Sequence, residues 1–141
     1  VEYIFHNLFW GDDFMDSEQR KKIIEKYLES YNSFHIEQMI KLLDKEIVFR
    51  NYSNGELTAE TKGIDEFRTL AEKSAKVFSN RHQTMIDYQE IDDRVKIQIE
   101  YEATLAMDLP NGLNRGDKLQ LKGTSIFRFH DGKLLLIEDF S

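Results

Sequence analysis

Near residue 82 the sequence changes its hydrophobic period, and that switch limits the folds open to it. Before it, apolar side chains recur at helical spacing: Ile23, Ile24, Tyr27, Leu28 and Tyr31, then Ile36, Met39, Ile40 and Leu43, then Ile64, Phe67, Leu70, Ala71, Ala75 and Phe78. After it they alternate. His82, Thr84, Ile86 and Tyr88 share a face, as do Val95, Ile97, Ile99, Tyr101, Ala103 and Leu105 against Lys96, Gln98, Glu100 and Glu102. Leu119, Leu121, Gly123, Ser125, Phe127 and Phe129 alternate with polar residues in the same way. Three helices gathered before a run of meandering strands predict an α+β domain, with the helices on one face of a largely antiparallel sheet.

The punctuation agrees with this order. Asp16 or Ser17 can cap the first helix, with Glu18 in its first turn, and Gly63 precedes the acidic start of the third at Asp65 and Glu66. Between them IVFRNYSNG predicts a strand over about 46–52, closed by the Asn54-Gly55 turn and followed by a polar loop. Asp92-Asp93 and Pro110-Asn111-Gly112 mark the next connections, and Asp131-Gly132 closes a hairpin onto residues 134–140. With one Pro and no repeats, nothing marks an interior boundary, so residues 17–141 read as one domain behind an aromatic leader, residues 1–16.

Charge and composition narrow the partners. Nineteen basic residues against 26 acidic ones give a net charge of −7 across 141 residues, without a basic block, which argues against nucleic acid or a membrane surface. There is no cysteine to supply a disulfide, a thiolate nucleophile or a metal ligand. His6, His35, His82 and His130 are scattered without metal-ligand spacing, and neither a phosphate loop nor a dinucleotide fingerprint occurs, so no cofactor and no metal are expected. The leader VEYIFHNLFW is too short to cross a bilayer and has no cationic flank. A cytoplasmic location is the expectation; the sequence starts without Met, so an upstream signal stays open.

Several of these segments together resemble the nuclear transport factor 2-like superfamily, especially its SnoaL-like and ketosteroid-isomerase-like members. They are the tyrosine-bearing KYLESYNSFHIEQMIKLL, KGIDEF opening the third helix, and the closing SIFRFHDGKLLLIEDF. The resemblance covers about residues 17–141. It implies a strongly curved sheet wrapped as a cone around three helices, an apolar pocket at the open end, and homodimers formed through the sheet. It also matches Tyr27 to the hydrogen-bonding tyrosine of ketosteroid isomerases, Asn51 to their general-base aspartate and Ser125 to their oxyanion-hole aspartate. In that enzyme a carboxylate base works with a tyrosine and a neutral carboxylic acid, an established example. Here only the tyrosine is retained. A neutral amide does not accept a proton at ordinary pH, so steroid-type isomerisation by that route is not expected.

The candidate site follows. Tyr27, Tyr31, Phe49, Phe67, Tyr101 and Phe127 are expected to line the cone, with Asn51, His82 and Ser125 as its polar contacts. Each has a plainer reading: Asn51 pairing with a neighbouring polar group, Tyr31 packing with its hydroxyl at the rim, His82 as a satisfied core residue. If the domain is catalytic, His82 is the expected acid or base and Tyr27 the hydrogen-bond donor. Two functions result. One is binding of a small, mostly apolar molecule bearing a carbonyl or hydroxyl group, with isomerase-, cyclase- or dehydratase-like chemistry; the other is a protein-interaction or dimerisation module whose cavity is plugged by its own side chains.

Overall fold

The computed structural model describes residues 15–141. The aromatic leader, apart from its last two residues, lies outside them. Three helices and six strands follow in order: α1 (Ser17–Asn32), α2 (Ile36–Lys41), β1 (Leu43–Ser53), β2 (Glu56–Lys62), α3 (Ile64–Ala75), β3 (Phe78–Ile91), β4 (Arg94–Leu105), β5 (Lys118–His130) and β6 (Lys133–Phe140).

Helix α1 starts at a reciprocal capping box. The Asp16 carboxylate accepts from the Gln19 amide at 2.8 Å, and the Gln19 side chain accepts from the Asp16 amide at 3.1 Å, so two otherwise orphaned donors are satisfied. At the other end the chain leaves the helix with Phe34 in the left-handed region at φ 59°, while the His35 amide donates back to the Ser30 carbonyl at 2.9 Å. That position usually holds glycine. Asn54-Gly55 and Asp131-Gly132, at φ 52° and 80° and at 49° and 77°, form the tight turns their sequences announce.

One six-stranded sheet runs in the order β2-β1-β6-β5-β4-β3. The β1–β6 pair is parallel and the other four are antiparallel. Two boundaries differ from the sequence reading. Leu43, which completes a helical stripe on paper, begins β1, and the polar segment after Asn54-Gly55 is the edge strand β2. Only Thr61 of β2 is buried, so an exposed edge carries no apolar alternation to reveal it.

All three helices bury their stripes against the inner face of the sheet. Ile24 and Leu28 of α1, Met39 of α2 and Phe67 of α3 meet Ile47, Ile97, Phe127 and Ile137 from the strands. Burial of each large side chain contributes about 1.5–3 kcal/mol, and this layer fixes the helices on the sheet. On the outer face Arg50 bridges Glu60 at 2.7 Å and Glu138 at 3.3 Å, tying β2, β1 and β6 in one row. The row fixes register rather than adding much stability. A slip of one residue would turn Asn51 and Asp139, the inward neighbours of Arg50 and Glu138, to the outside.

The β3 strand corrects one parity. Arg81 is buried and Gln83 and Met85 are half-buried, whereas His82, Thr84 and Ile86 are exposed. The pairing with β4 is irregular between Met85 and Asp87, and this extra residue returns Tyr88 to the inside. Reading inwardness back from Tyr88 without the bulge puts His82 on the wrong side.

Candidate functional site

Between the helices and the inner face lies a cavity of about 350 Å³. Its walls include Tyr27 and Tyr31 of α1, Phe49 and Asn51 of β1, Phe67 of α3, Arg81 of β3, Tyr101 of β4 and Asp139 of β6. Six residues expected from the sequence therefore meet here: Tyr27, Tyr31, Phe49, Asn51, Phe67 and Tyr101. Phe49 and Phe67 pack edge to face with centroids 5.9 Å apart, and Tyr31 and Tyr101 join their hydroxyls at 3.0 Å. The aromatic rings thus line the space without filling it.

The other three expected residues sit elsewhere. Phe127 is buried behind the wall, edge-on to Tyr27 at 6.2 Å. Ser125 is also buried and acts through a neighbour: its hydroxyl donates to Asp139 Oδ1 at 2.7 Å. His82 points to solvent on the outer side of β3, opposite Glu102.

Asp139 is the group that sequence reasoning missed. It pairs with Asn51 across the parallel β1–β6 ladder and with Ser125 across β5–β6, so the three side chains form one inward row. Those flanking positions are the two that lack carboxylates by resemblance. A carboxylate is present after all, one strand away from each. Burial pushes its pKa from 3.8 up to about 6, while the Ser125 hydrogen bond pulls the other way by favouring the charged form. The signal was available: Asp139 lies two residues beyond the inward Ile137, but the short closing strand LLLIEDF is apolar on both faces and shows no clear alternation.

Asn51 pairs with a neighbouring polar group and also borders the cavity. Its amide donates to Thr58 Oγ1 at 2.8 Å, Thr58 donates back to the Asn51 carbonyl at 3.1 Å, and the residue still forms part of the cavity wall. Tyr27 is almost wholly buried; desolvation raises its pKa, and the nearby Asp139 charge raises it further. Desolvation likewise raises Tyr31 and Tyr101, so all three phenols stay protonated as donors near neutral pH.

Arg81 was also missed. It is 4% exposed, its Nε donates to the Tyr31 carbonyl at 2.9 Å, and its guanidinium lies 3.7 Å from the Tyr31 ring centroid and 4.4 Å from that of Phe34. A second cavity of about 260 Å³ adjoins the first and shares Tyr31, Asn51, Gln83, Tyr101 and Asp139 with it. Gly123 borders that opening, where a Cβ would meet the Phe140 carbonyl oxygen at 2.8 Å. Among the described residues no cluster of His, Asp and Glu has the arrangement of a metal site, and no helix is long and apolar enough to cross a membrane.

Comparison with known proteins agrees with this architecture. The family model for the SnoaL-like domain matches residues 24–137, and the chain belongs to that family. AclR, a candidate hydroxylase from Streptomyces galilaeus, is 21% identical with a TM-score of 0.70, over 88% of this chain and 89% of that one. A candidate polyketide cyclase from Xanthomonas campestris pv. campestris is 16% identical with a TM-score of 0.74, over 88% and 90%. TerC, co-crystallised with polyporic acid, is 15% identical with a TM-score of 0.70, over 86% and 89%. At these identities the likeness is one of fold. No curated protein matches by sequence.

Proposed function

We propose that this SnoaL-like domain binds a small, mostly apolar molecule bearing a carbonyl or hydroxyl group and moves a proton on it. The observation that carries the reading is Asp139, a carboxyl group with a pKa of about 6 facing a cavity otherwise walled largely by aromatic and aliphatic side chains. A base poised near the working pH combines the charged form with useful proton affinity. In an isomerase- or cyclase-like cycle, ionised Asp139 takes a proton from the carbon beside a carbonyl, and the electron pair moves onto the carbonyl oxygen. The tyrosine hydroxyls donate hydrogen bonds to that oxygen, and Asp139 then returns the proton at another position. Asn51 orients the ligand without titrating. The ligand bound to TerC supports a small-molecule reading by analogy of fold.

A thermal-shift panel of small aromatic ketones and phenols tests binding. Stabilisation of the wild type that is lost in Phe67→Trp, which fills the cavity, is the expected result. A panel without any stabilising compound overturns the proposal. For a compound that is turned over, Asp139→Asn should reduce the rate by about 10²–10⁴-fold. An unchanged rate removes Asp139 from the chemistry.

A further inference from the structure

Arg81 is buried as the other arginines with ion pairs are not. Arg20, Arg50, Arg68, Arg94 and Arg128 each lie within 4.0 Å of a carboxylate, at the surface or partly exposed. Arg81 is 4% exposed and has no carboxylate partner among the described residues. Its Nε is satisfied by the Tyr31 carbonyl, but Nη2 is buried without any hydrogen-bond partner. An unpaired buried guanidinium is expensive to keep, and burial of such a charge is ordinarily matched by an anion.

Its setting is also built to hold it still. The guanidinium packs against the rings of both Tyr31 and Phe34, and Phe34 occupies that place in a left-handed backbone conformation that non-glycine residues seldom adopt. With Nε engaged by a backbone carbonyl and no carboxylate beside it among the described residues, Arg81 brings a positive charge with donors to spare to the cavity wall. A guanidinium so placed suits a carboxylate.

Asp139, in the same cavity, disfavours a second negative charge close to it. The two groups enter from different strands, however, with β5 and β4 between β6 and β3. Each of those strand spacings is about 4.8 Å. A ligand can therefore present an anionic end to Arg81 and an uncharged carbon or carbonyl to Asp139. We propose that the cavity takes small carboxylic acids with an apolar ring body, the carboxylate held by Arg81 and the ring lying against Phe49, Phe67 and Tyr101. This rests on the ligand-binding reading above and adds the charge class of the ligand.

The test compares 2-naphthoate with the neutral 2-naphthamide by calorimetry near pH 7.5, where the acid is ionised. The acid should bind the wild type about ten- to a hundredfold more tightly, as expected for a charge-assisted pair. Arg81→Gln should remove that preference, weakening the acid far more than the amide, and Arg81→Lys, which keeps the charge, should retain part of it. Circular dichroism checks that each variant is folded. If the variants do not fold, the wild-type comparison decides alone: equal or weaker binding of the acid overturns the proposal. Binding of amide, ketones or phenols without preference for the acid defeats this inference and leaves the ligand-binding reading standing. Binding of nothing defeats both.

Discussion

Replacing Asp139 by Asn should make the protein more stable at alkaline pH and scarcely change it in acid. The carboxyl group has a pKa of about 6 in the folded protein, against an ordinary 3.8, because its cavity position desolvates the charged form. That difference corresponds to about 3 kcal/mol by which folding disfavours the carboxylate. The folded state binds the proton more tightly than the unfolded one, so the favourable neutral form is fully present below about pH 4. Its contribution is lost as pH rises through about 6. The isosteric amide never ionises and escapes the loss, although its NH₂ group loses solvent without a new acceptor. Wild type and Asp139→Asn should therefore unfold alike near pH 4, whereas at pH 8 the variant should gain about 2–3 kcal/mol, or roughly 5–10 °C in Tm for a domain of this size. Urea denaturation followed by circular dichroism at both pH values measures it. A gain of the same size at the two pH values, or a loss at pH 8, would refute the assignment of a raised pKa to Asp139.

Three further outcomes follow from the same geometry. Ser125→Ala removes the hydrogen bond that favours ionised Asp139, so the Asp139 titration followed by carboxyl-carbon NMR should move upward by about 1–2 pH units; no movement would mean that the 2.7 Å contact carries little energy. Tyr31→Phe and Tyr101→Phe each break the hydroxyl pair, and a double-mutant cycle on denaturation free energies should give a coupling of about 0.5–1.5 kcal/mol, with additivity arguing against the bond. His82→Gln changes an exposed side chain outside the cavity wall, so stability should stay within about 0.5 kcal/mol and any ligand-induced thermal shift should be unchanged; a lost shift would bring His82 back to the site.

How much of this was legible depended on whether burial left a simple period. The stripes of α1 and α3 and the β4 alternation from Val95 to Leu105 each pack one clean face, and the sequence showed all three. The edge strand β2 packs almost nothing and stayed hidden. At β3 a single inserted residue reversed the parity, replacing the expected His82 by its neighbours Arg81 and Gln83. Asn51 and Ser125 were recognisable because the family resemblance matches them to the two aspartates of ketosteroid isomerases. The carboxylate between them was not, because it belongs to a strand whose two faces are both covered and whose parallel partner, β1, is remote in sequence. Adjacency of that kind comes from topology, which a local window of residues does not contain.

The position of β6 has a consequence for how the domain comes into being. This last strand in chain order lies between β1 and β5, so until it is inserted the sheet is split into a two-stranded part and a three-stranded part without a seam to join them. A nascent chain still lacking residues 133–140 would have both halves, but neither their junction nor the Asp139 side chain. Loop closure over nearly the whole domain must precede that insertion, which makes it a slow event. The joined sheet and the Asp139 side chain of the cavity wall would therefore appear together in a refolding experiment, when β6 is inserted.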